Sequence, residues 1–531
     1  MDTVLRGARI ADGTGSEPYE GDVGIGEGRI TAIGGPGSLT GSRVVDSTGL
    51  VLAPGFIDMH AHSDLQVLAE PDHLAKVSQG VTTEVLGQDG LSYAPADDAT
   101  LAALRAQVAG WNDDPPGFDW NWRSVGEYLD RLDEGIAVNA AYLVPQGSVR
   151  MLAVGFENRP ATESELDTMR RLVVEGMRQG AFGLSSGLTY TPGMYADTGE
   201  LVALCEVTAQ HGGYYSPHHR SYGAGALEAF AEMVEVSRRS GCPLHLAHAT
   251  MNFSVNKGRA PELLALLDDA LADGCDITLD TYPYLPGATY LSALLPSWAA
   301  EGGLDATLAR LSDPDTRERI RAELEETGSD GAHGVPIDWA AIEINGVRDP
   351  ANAHLVGHSV AASAAAQGRA PSDLYFDVLL SERLGTSCLM HVGHEENVRA
   401  IMRHRTHTGG SDGLLVGDRP HPRAWGTFPR YLGRYVRELG VLSLAECVAH
   451  LTGRAARRLR LPDRGLVREG YAADLVLFDP ETVIDTATFD APRQQAEGIP
   501  YVFVNGVAAI DDGRSTGALA GGSLRSPGRT A

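Results

Sequence analysis

From residue 54 to about 460 the chain alternates short apolar runs of strand length with segments of helix length. That is the pattern of a parallel sheet whose strands are joined by crossover helices, an α/β fold. The runs are predicted to end near His62, Asp89, Tyr142, Leu184, His218, His248, Asp280 and Asp412. Between the third and fourth, Thr162-Glu-Ser-Glu165 reads as a capping box opening a helix through Met177. Between the seventh and eighth, residues 290–380 far exceed the usual connection of about 2–6 residues. An inserted subdomain or lid is expected there, partly helical from Asp313 to Glu326.

The two ends of the chain carry a different pattern. Residues 1–53 read as short strands broken by glycine: Val4–Ile10, Gly21–Ile25, Arg29–Ile33 and Arg43–Asp46. A matching set follows the alternating region, at Asp474–Asp479 and Pro500–Ile510. Neither set has enough strands to bury a face alone, so 1–53 and 464–531 are expected to pair into one β-sandwich beside the body formed by 54–463. The tail after Gly513, rich in Gly, Ser and Arg, is expected to be a weakly ordered terminus.

Chemistry concentrates at the predicted strand ends. Val51-Leu-Ala-Pro-Gly-Phe-Ile-Asp-Met-His60-Ala-His62 closes an apolar run on two histidines separated by one residue. Successive side chains on a strand face opposite ways, so His60 and His62 project together, an arrangement suited to one divalent metal. Further candidate ligands follow at Asp89, His218 and His248, with an acid at Asp412, each just past an apolar run. A parallel barrel delivers its strands' carboxyl ends to one such rim. His219 and His245 lie close by in the wrong phase and are read as neighbours, not ligands.

Composition narrows the picture. At 531 residues, 43% hydrophobic with 63 glycines, the chain allows a large barrel plus an accessory domain. A net charge of −27 argues against nucleic acid and anionic membrane as partners. No leader pattern or spanning apolar run is apparent, and the five cysteines (205, 242, 275, 388 and 447) lack CxxC spacing; both features lead us to expect a cytoplasmic protein. Of 43 basic residues only Lys76 and Lys257 are lysine.

The stretches APGFIDMHAHSD, QGVTTEVLGQDGLSYAP, GAFGLSSGLTYTPG, YSPHHRS, PLHLAHAT, DTYPY, GGSDG, PHPRAWGTFPRYLGRYVRE and GLVREGYAADLVLFDP span nearly the whole length. By them the chain resembles the amidohydrolase superfamily and, within it, the N-acyl-D-amino-acid deacylases (D-aminoacylases). The resemblance implies a metal-dependent TIM (β/α)8 barrel with a β-sandwich from both termini. It implies hydrolysis of the amide of an N-acyl-D-amino acid, or a close relative, to a carboxylate and a free amine.

The same resemblance assigns roles. His60, His62, His218 and His248 match family metal ligands. Asp89, in Gly87-Gln-Asp-Gly90, stands where the family has a zinc-binding cysteine. A carboxylate can bridge in its place, with metal–oxygen near ~2.0–2.2 Å against ~2.3 Å for sulfur. Zinc, one ion or two, is the implied cofactor; oxygen for sulfur opens the site to manganese or cobalt. Asp412 looks like the family's catalytic acid, taking a proton from metal-activated water and returning it to the departing nitrogen. Arg423 and Tyr282 match positions that hold the substrate's carboxylate. A further family contact, a lysine two residues beyond the strand-six histidine, is Thr250 here, and Lys257 or Arg220 could compensate; Arg220 could equally be a structural ion-pair partner. Many binuclear relatives bridge their metals with a carboxylated lysine from the fourth strand, yet Gly180–Tyr190 contains none. That ranks a cyclic-amide hydrolase of the hydantoinase or dihydroorotase kind lower. A non-catalytic scaffold of the dihydropyrimidinase kind is the alternative from another class.

Overall fold

The structure, a computed structural model, describes residues 1–528. Five strands open the chain: β1 (Thr3–Ile10), β2 (Tyr19–Gly26), β3 (Arg29–Gly34), β4 (Arg43–Asp46) and β5 (Val51–Pro54). Seven follow that run parallel in one sheet: β6 (Phe56–Asp58), β7 (Val81–Leu86), β8 (Asn139–Pro145), β9 (Gly183–Gly187), β10 (Tyr214–His218), β11 (Leu244–Leu246) and β12 (Ile277–Thr281). After an inserted four-strand sheet, β13 (Gly287–Tyr290), β14 (Ile342–Gly346), β15 (His358–Ser359) and β16 (Ser387–Met390), the eighth parallel strand arrives as β17 (His407–Gly409). It pairs with β12 in register Leu279–His407 to Thr281–Gly409. The barrel closes from last strand to first: Met59 N–H donates to Gly409 O at 3.0 Å, Asp412 N–H to His60 O at 2.8 Å, and Ala61 bridges Gly413.

The barrel strands are buried on both faces, as β8 illustrates: all seven residues of Asn-Ala-Ala-Tyr-Leu-Val-Pro are inaccessible. Helices cover the outside, which is why such strands read as continuous apolar runs instead of alternating ones. The helix Glu163–Arg178 begins with the capping box expected of Thr162 and Glu165, both halves formed. β8 and β9 each run three residues past the predicted ends at Tyr142 and Leu184.

Strands from both ends of the chain share one further sheet, completed by β18 (Leu475–Phe478), β19 (Tyr501–Val504), β20 (Val507–Asp511) and β21 (Arg514–Ser515). β5 is the join: it runs parallel to the end of β1 and antiparallel to β18, with Leu52 opposite Leu477. β4 takes the other half of β1, so the sheet branches there and wraps an apolar core of Leu5, Ile10, Val23, Ile25, Leu475 and Phe503.

The insertion has its own core around Leu291, Leu324, Ile344, Tyr375 and Leu379. Its sheet reaches beyond 290–380 at both ends because its two outermost residues, Gly287 and Met390, pair with each other. The tail departs from expectation. Beyond Gly513 the chain is tied to the base of the barrel: Gly521 bridges Ile136, Ser523 bridges Ala140, and Arg525 pairs with Asp130. Unpaired backbone at the start of β8 gives this Gly- and Ser-rich segment a strand to dock on. Among the described residues no helix is long and apolar enough to cross a membrane, and all five cysteines are unpaired.

Candidate metal centre

The five predicted ligands and Asp412 converge at the carboxyl rim of the barrel. His60 and His62 follow β6, and with Ala61 held in the bridge to Gly413 both imidazoles turn inward, their Nε2 atoms 3.3 Å apart. Asp89, from the turn Gln88–Gly90 after β7, sits between two groups of imidazoles. Its Oδ1 lies 3.5 Å from His60 Nε2; its Oδ2 lies 3.5 Å from His62 Nε2, 3.2 Å from His218 Nδ1 and 3.5 Å from His248 Nε2. His218 Nδ1 and His248 Nε2 are 3.1 Å apart. Asp412 Oδ1 approaches His62 Nε2 to 3.2 Å and His60 Nε2 to 3.8 Å. The donors therefore form two sets, His60, His62, Asp89 and Asp412 on one side and Asp89, His218 and His248 on the other, with Asp89 common to both.

This donor set fits a divalent cation. Atoms bound about 2.0–2.2 Å from a tetrahedral zinc stand about 3.4 Å from one another, close to the spacings around Asp89. Asp89 Oδ1 is buried with no hydrogen-bond partner among the described residues, a costly condition for a carboxylate oxygen unless a cation meets it. Burial works against the charge of Asp89, but His218, His60 and His248 hold its carboxyl well below the usual range. Burial likewise opposes a charge on His62, yet Asp412 and Asp89 lift it to about 10. Two carboxylates that favour a proton there favour a metal ion in its place. At His218 burial prevails and lowers the imidazole to about 4, leaving it a neutral ligand.

Other side chains fix the ligands. Thr189 Oγ1 stands 2.7 Å from His218 Nε2, Tyr222 OH 2.7 Å from His248 Nδ1, and Asp280 Oδ2 3.6 Å from His60 Nδ1. Such partners on the second ring nitrogen settle which nitrogen faces a metal. Asp280 also accepts from His248 N–H at 3.0 Å and lies 3.1 Å from His245 Nε2, so His245 is engaged one layer below the cluster. His219 packs at a tilt between the rings of Tyr222 and Phe230, also outside it. Around Asp89 the backbone is crowded. Gly87 has φ 75°, and a Cβ there would lie 2.2 Å from Leu143 O, so no other residue fits the turn.

Arg423 and Tyr282 adjoin the cluster. The fully buried Arg423 guanidinium pairs with Asp412 Oδ2 at 2.9 Å and lies over the Tyr282 ring at 4.5 Å. Its Nε and NH1 have no hydrogen-bond partner among the described residues. Neither suggested substitute for the lysine at Thr250 reaches the cluster. Arg220 is committed to Glu232 and to the carbonyls of Met194 and Ala196, and Lys257 is exposed. Lys76 is buried elsewhere, 2.6 Å from Asp58 and 3.0 Å from Glu84.

The cluster floors a cavity of about 70 Å³ whose roof comes from the insertion, including Leu294, His333 and Met390. Among the described residues no lysine or arginine lines it. The roles of Thr189, Tyr222, Asp58 and Lys76 went unread in the sequence. Asp58 carried a signal, since it shares the parity of His60 and His62. The others lie in loops, or in a short helix, that only the folded chain brings beside a ligand.

The sequence pattern of the amidohydrolase family, described as "Amidohydrolase family", matches residues 43–510. A D-aminoacylase of Alcaligenes xylosoxydans xylosoxydans is 34% identical over 98% of this chain and 97% of its own length. A solved D-aminoacylase described for its binuclear metal centre superposes with a TM-score of 0.83 at 33% identity, covering 99% of both chains. An N-acyl-D-glutamate deacylase of Bordetella bronchiseptica, solved with zinc and a phosphonate mimic of the tetrahedral intermediate, superposes with a TM-score of 0.84 at 31% identity, again over 99% of both chains.

Proposed function

The chain belongs to the amidohydrolase family, and on that footing we propose that it is a metal-dependent deacylase of N-acyl-D-amino acids with neutral side chains. The observation that carries this reading is the convergence of four imidazoles and two carboxylates from distant parts of the chain, all but the fully buried His60 on the floor of one cavity. His60, His62, Asp89, His218 and His248 would hold the ion, zinc in the first instance, with manganese or cobalt admitted by the oxygen ligand. When bound, such an ion polarises an amide carbonyl and lowers the pKa of water toward ~7.

The remaining work falls to the chain. Asp412 faces the ligand cluster through Oδ1 and Arg423 through Oδ2. Burial alone would raise its carboxyl, but Arg423 and His62 hold it below the usual range, so it meets the substrate as a base. From there it can take a proton from the attacking water and pass it to the amide nitrogen as the C–N bond breaks. Arg423, fully buried behind Asp412 and Tyr282 with Nε and NH1 unpaired among the described residues, is the cation assigned by the family resemblance to the substrate's carboxylate. Tyr282 supports it from below. Arg423 lies behind the lining and is assigned to the α-carboxylate, and the lining itself offers no lysine or arginine to an acidic side chain, which directs the reading to neutral amino acids.

The test is a panel of N-acetyl, N-formyl and N-succinyl derivatives of D- and L-amino acids, assayed with zinc, manganese and cobalt supplied separately. Hydrolysis of neutral D-isomers is expected. Turnover of L-isomers only, or of acidic D-isomers in preference, would overturn the substrate assignment and leave the family membership standing.

A further inference from the structure

A second chamber adjoins the metal-centre cavity and has no part in the chemistry described so far. It holds about 260 Å³ and lies between the helix Asp98–Gln107, the loop after β9 and the start of the insertion. Its lining includes Ala103, Phe156, Met194, Tyr290, Ala300 and Leu304, and among the described residues no charged side chain. Thr189 and Ala293 stand in the walls of both spaces. Thr189 is also the residue whose hydroxyl meets His218, so the chamber begins one side chain away from a candidate ligand. Tyr290, in its wall, packs on Trp111 and Tyr190 of the first cavity with ring centroids 5.3 and 5.2 Å apart.

The topology says which part of a substrate points there. Around the barrel β9 is the fourth strand and β17 the eighth, which places them on opposite sides of the mouth. Arg423 and Asp412 follow β17, and Thr189 follows β9. In an N-acyl amino acid the carboxylate and the acyl chain leave the scissile amide in opposite directions. With the carboxylate on the β17 side of the mouth, where Arg423 and Asp412 lie, the acyl chain is directed at Thr189 and the apolar chamber behind it. The outer side opens to solvent at Ala102 and Ala106, so the length of the chain is not capped.

The geometry points to a subsite for a long, unbranched acyl group, making the substrate class the N-acyl-D-amino acids with medium or long aliphatic chains. This rests on the deacylase reading for its chemistry and on the chamber alone for its length preference. Each methylene moved from water into an apolar wall strengthens binding by up to about fourfold, and part of that gain is lost to ordering the chain.

The experiment compares N-acetyl-, N-hexanoyl- and N-decanoyl-D-leucine in the metal-loaded enzyme, beside N-acetyl derivatives of D-amino acids of increasing side-chain length. From acetyl to decanoyl kcat/KM is expected to rise at least 100-fold. In Ala103→Trp and, separately, Ala300→Phe, which fill the chamber, the decanoyl-to-acetyl ratio should fall at least tenfold. A flat or falling acyl series would overturn the proposal, as would a ratio unchanged in both variants. So would a rise that follows the side chain instead of the acyl group. Should no derivative be hydrolysed, titration with decanoate separates the two ideas. Binding that weakens at least tenfold in either variant sustains the chamber while the deacylase reading falls; binding that is absent, or unchanged in both, removes the chamber as well.

Discussion

Three residues at the candidate metal centre have left-handed backbone: Asp89 at φ 53°, His248 at φ 29° and Asp412 at φ 49°. Such conformations are uncommon outside glycine and persist where the surroundings hold them, often at functional sites. Each residue lies just past a barrel strand, where the chain must turn a side chain back over the mouth. For Asp412 this makes asparagine the informative replacement, because asparagine tolerates the same backbone and keeps a hydrogen-bonding oxygen. Asp412→Asn should lower kcat by about 10²–10⁴, the usual scale of a lost general acid–base group. Metal content by elemental analysis should be unchanged; a variant within a few-fold of wild-type turnover would end the proton-shuttle role. The place of Asp89 at a strand end was legible as an acid just past an apolar run, whereas its proposed ligand role came from the resemblance, in which it stands at a family cysteine. The partners Thr189 and Tyr222 were not legible, since their importance lies in a contact with a histidine far away in sequence.

At the scale of elements, β6 is secured from beneath by a buried charged network. Lys76, on the short helix Leu74–Val77, pairs with Asp58 and Glu84, and Glu84 Oε2 lies 2.9 Å from His73 Nε2. Asp58 in turn accepts from the backbone N–H of both His60 and Ser411, the residue before Asp412. One carboxylate thus braces the two segments that carry ligands and acid. Removing one partner of a buried ion pair costs about 3–5 kcal/mol, so Lys76→Met should destabilise the fold on that scale. A pH series tests the same network. Burial opposes the charge of Glu84, but Lys76 and His73 hold its carboxyl down at about 2. A carboxyl depressed on folding adds stability above its unfolded value, roughly 4.3, and that stability is lost as pH falls toward 2. In melting curves, the deficit of Glu84→Gln relative to wild type should be largest at neutral pH and shrink between about pH 4.5 and 2. A deficit that stayed constant would mean the carboxylate is not bearing charge there. The order of the eight strands was readable because both-face burial leaves continuous apolar runs. The ends of β8 and β9 were not, since such a run carries no periodicity to mark where pairing stops.

For the whole molecule, long-range pairing decided what sequence could not. The reach of the insertion is set by Gly287 meeting Met390, and the order of the tail by Gly521 meeting Ile136. Neither pairing leaves a local trace. The terminal sheet and the insertion have cores of their own, whereas the candidate metal centre draws its proposed ligands from the ends of β6, β7, β10 and β11 and lies against Asp412 after β17. A cation shared by those segments would tie the barrel mouth together, and its loss should be felt there first. Chelation with EDTA is expected to lower the melting temperature and zinc to restore it. Metal held at 1,000 times its Kd contributes about 4 kcal/mol. Hydrogen exchange should then rise in residues 87–92, 218–222 and 248–253 while residues 19–34 of the terminal sheet stay protected, because local opening follows the contacts that are removed. A melting temperature indifferent to chelation would favour a scaffold that keeps the ligand geometry without using it. Uniform loss of protection would instead mean that the barrel and the terminal sheet unfold as one unit, with β5 and its pairing to β18 transmitting the change.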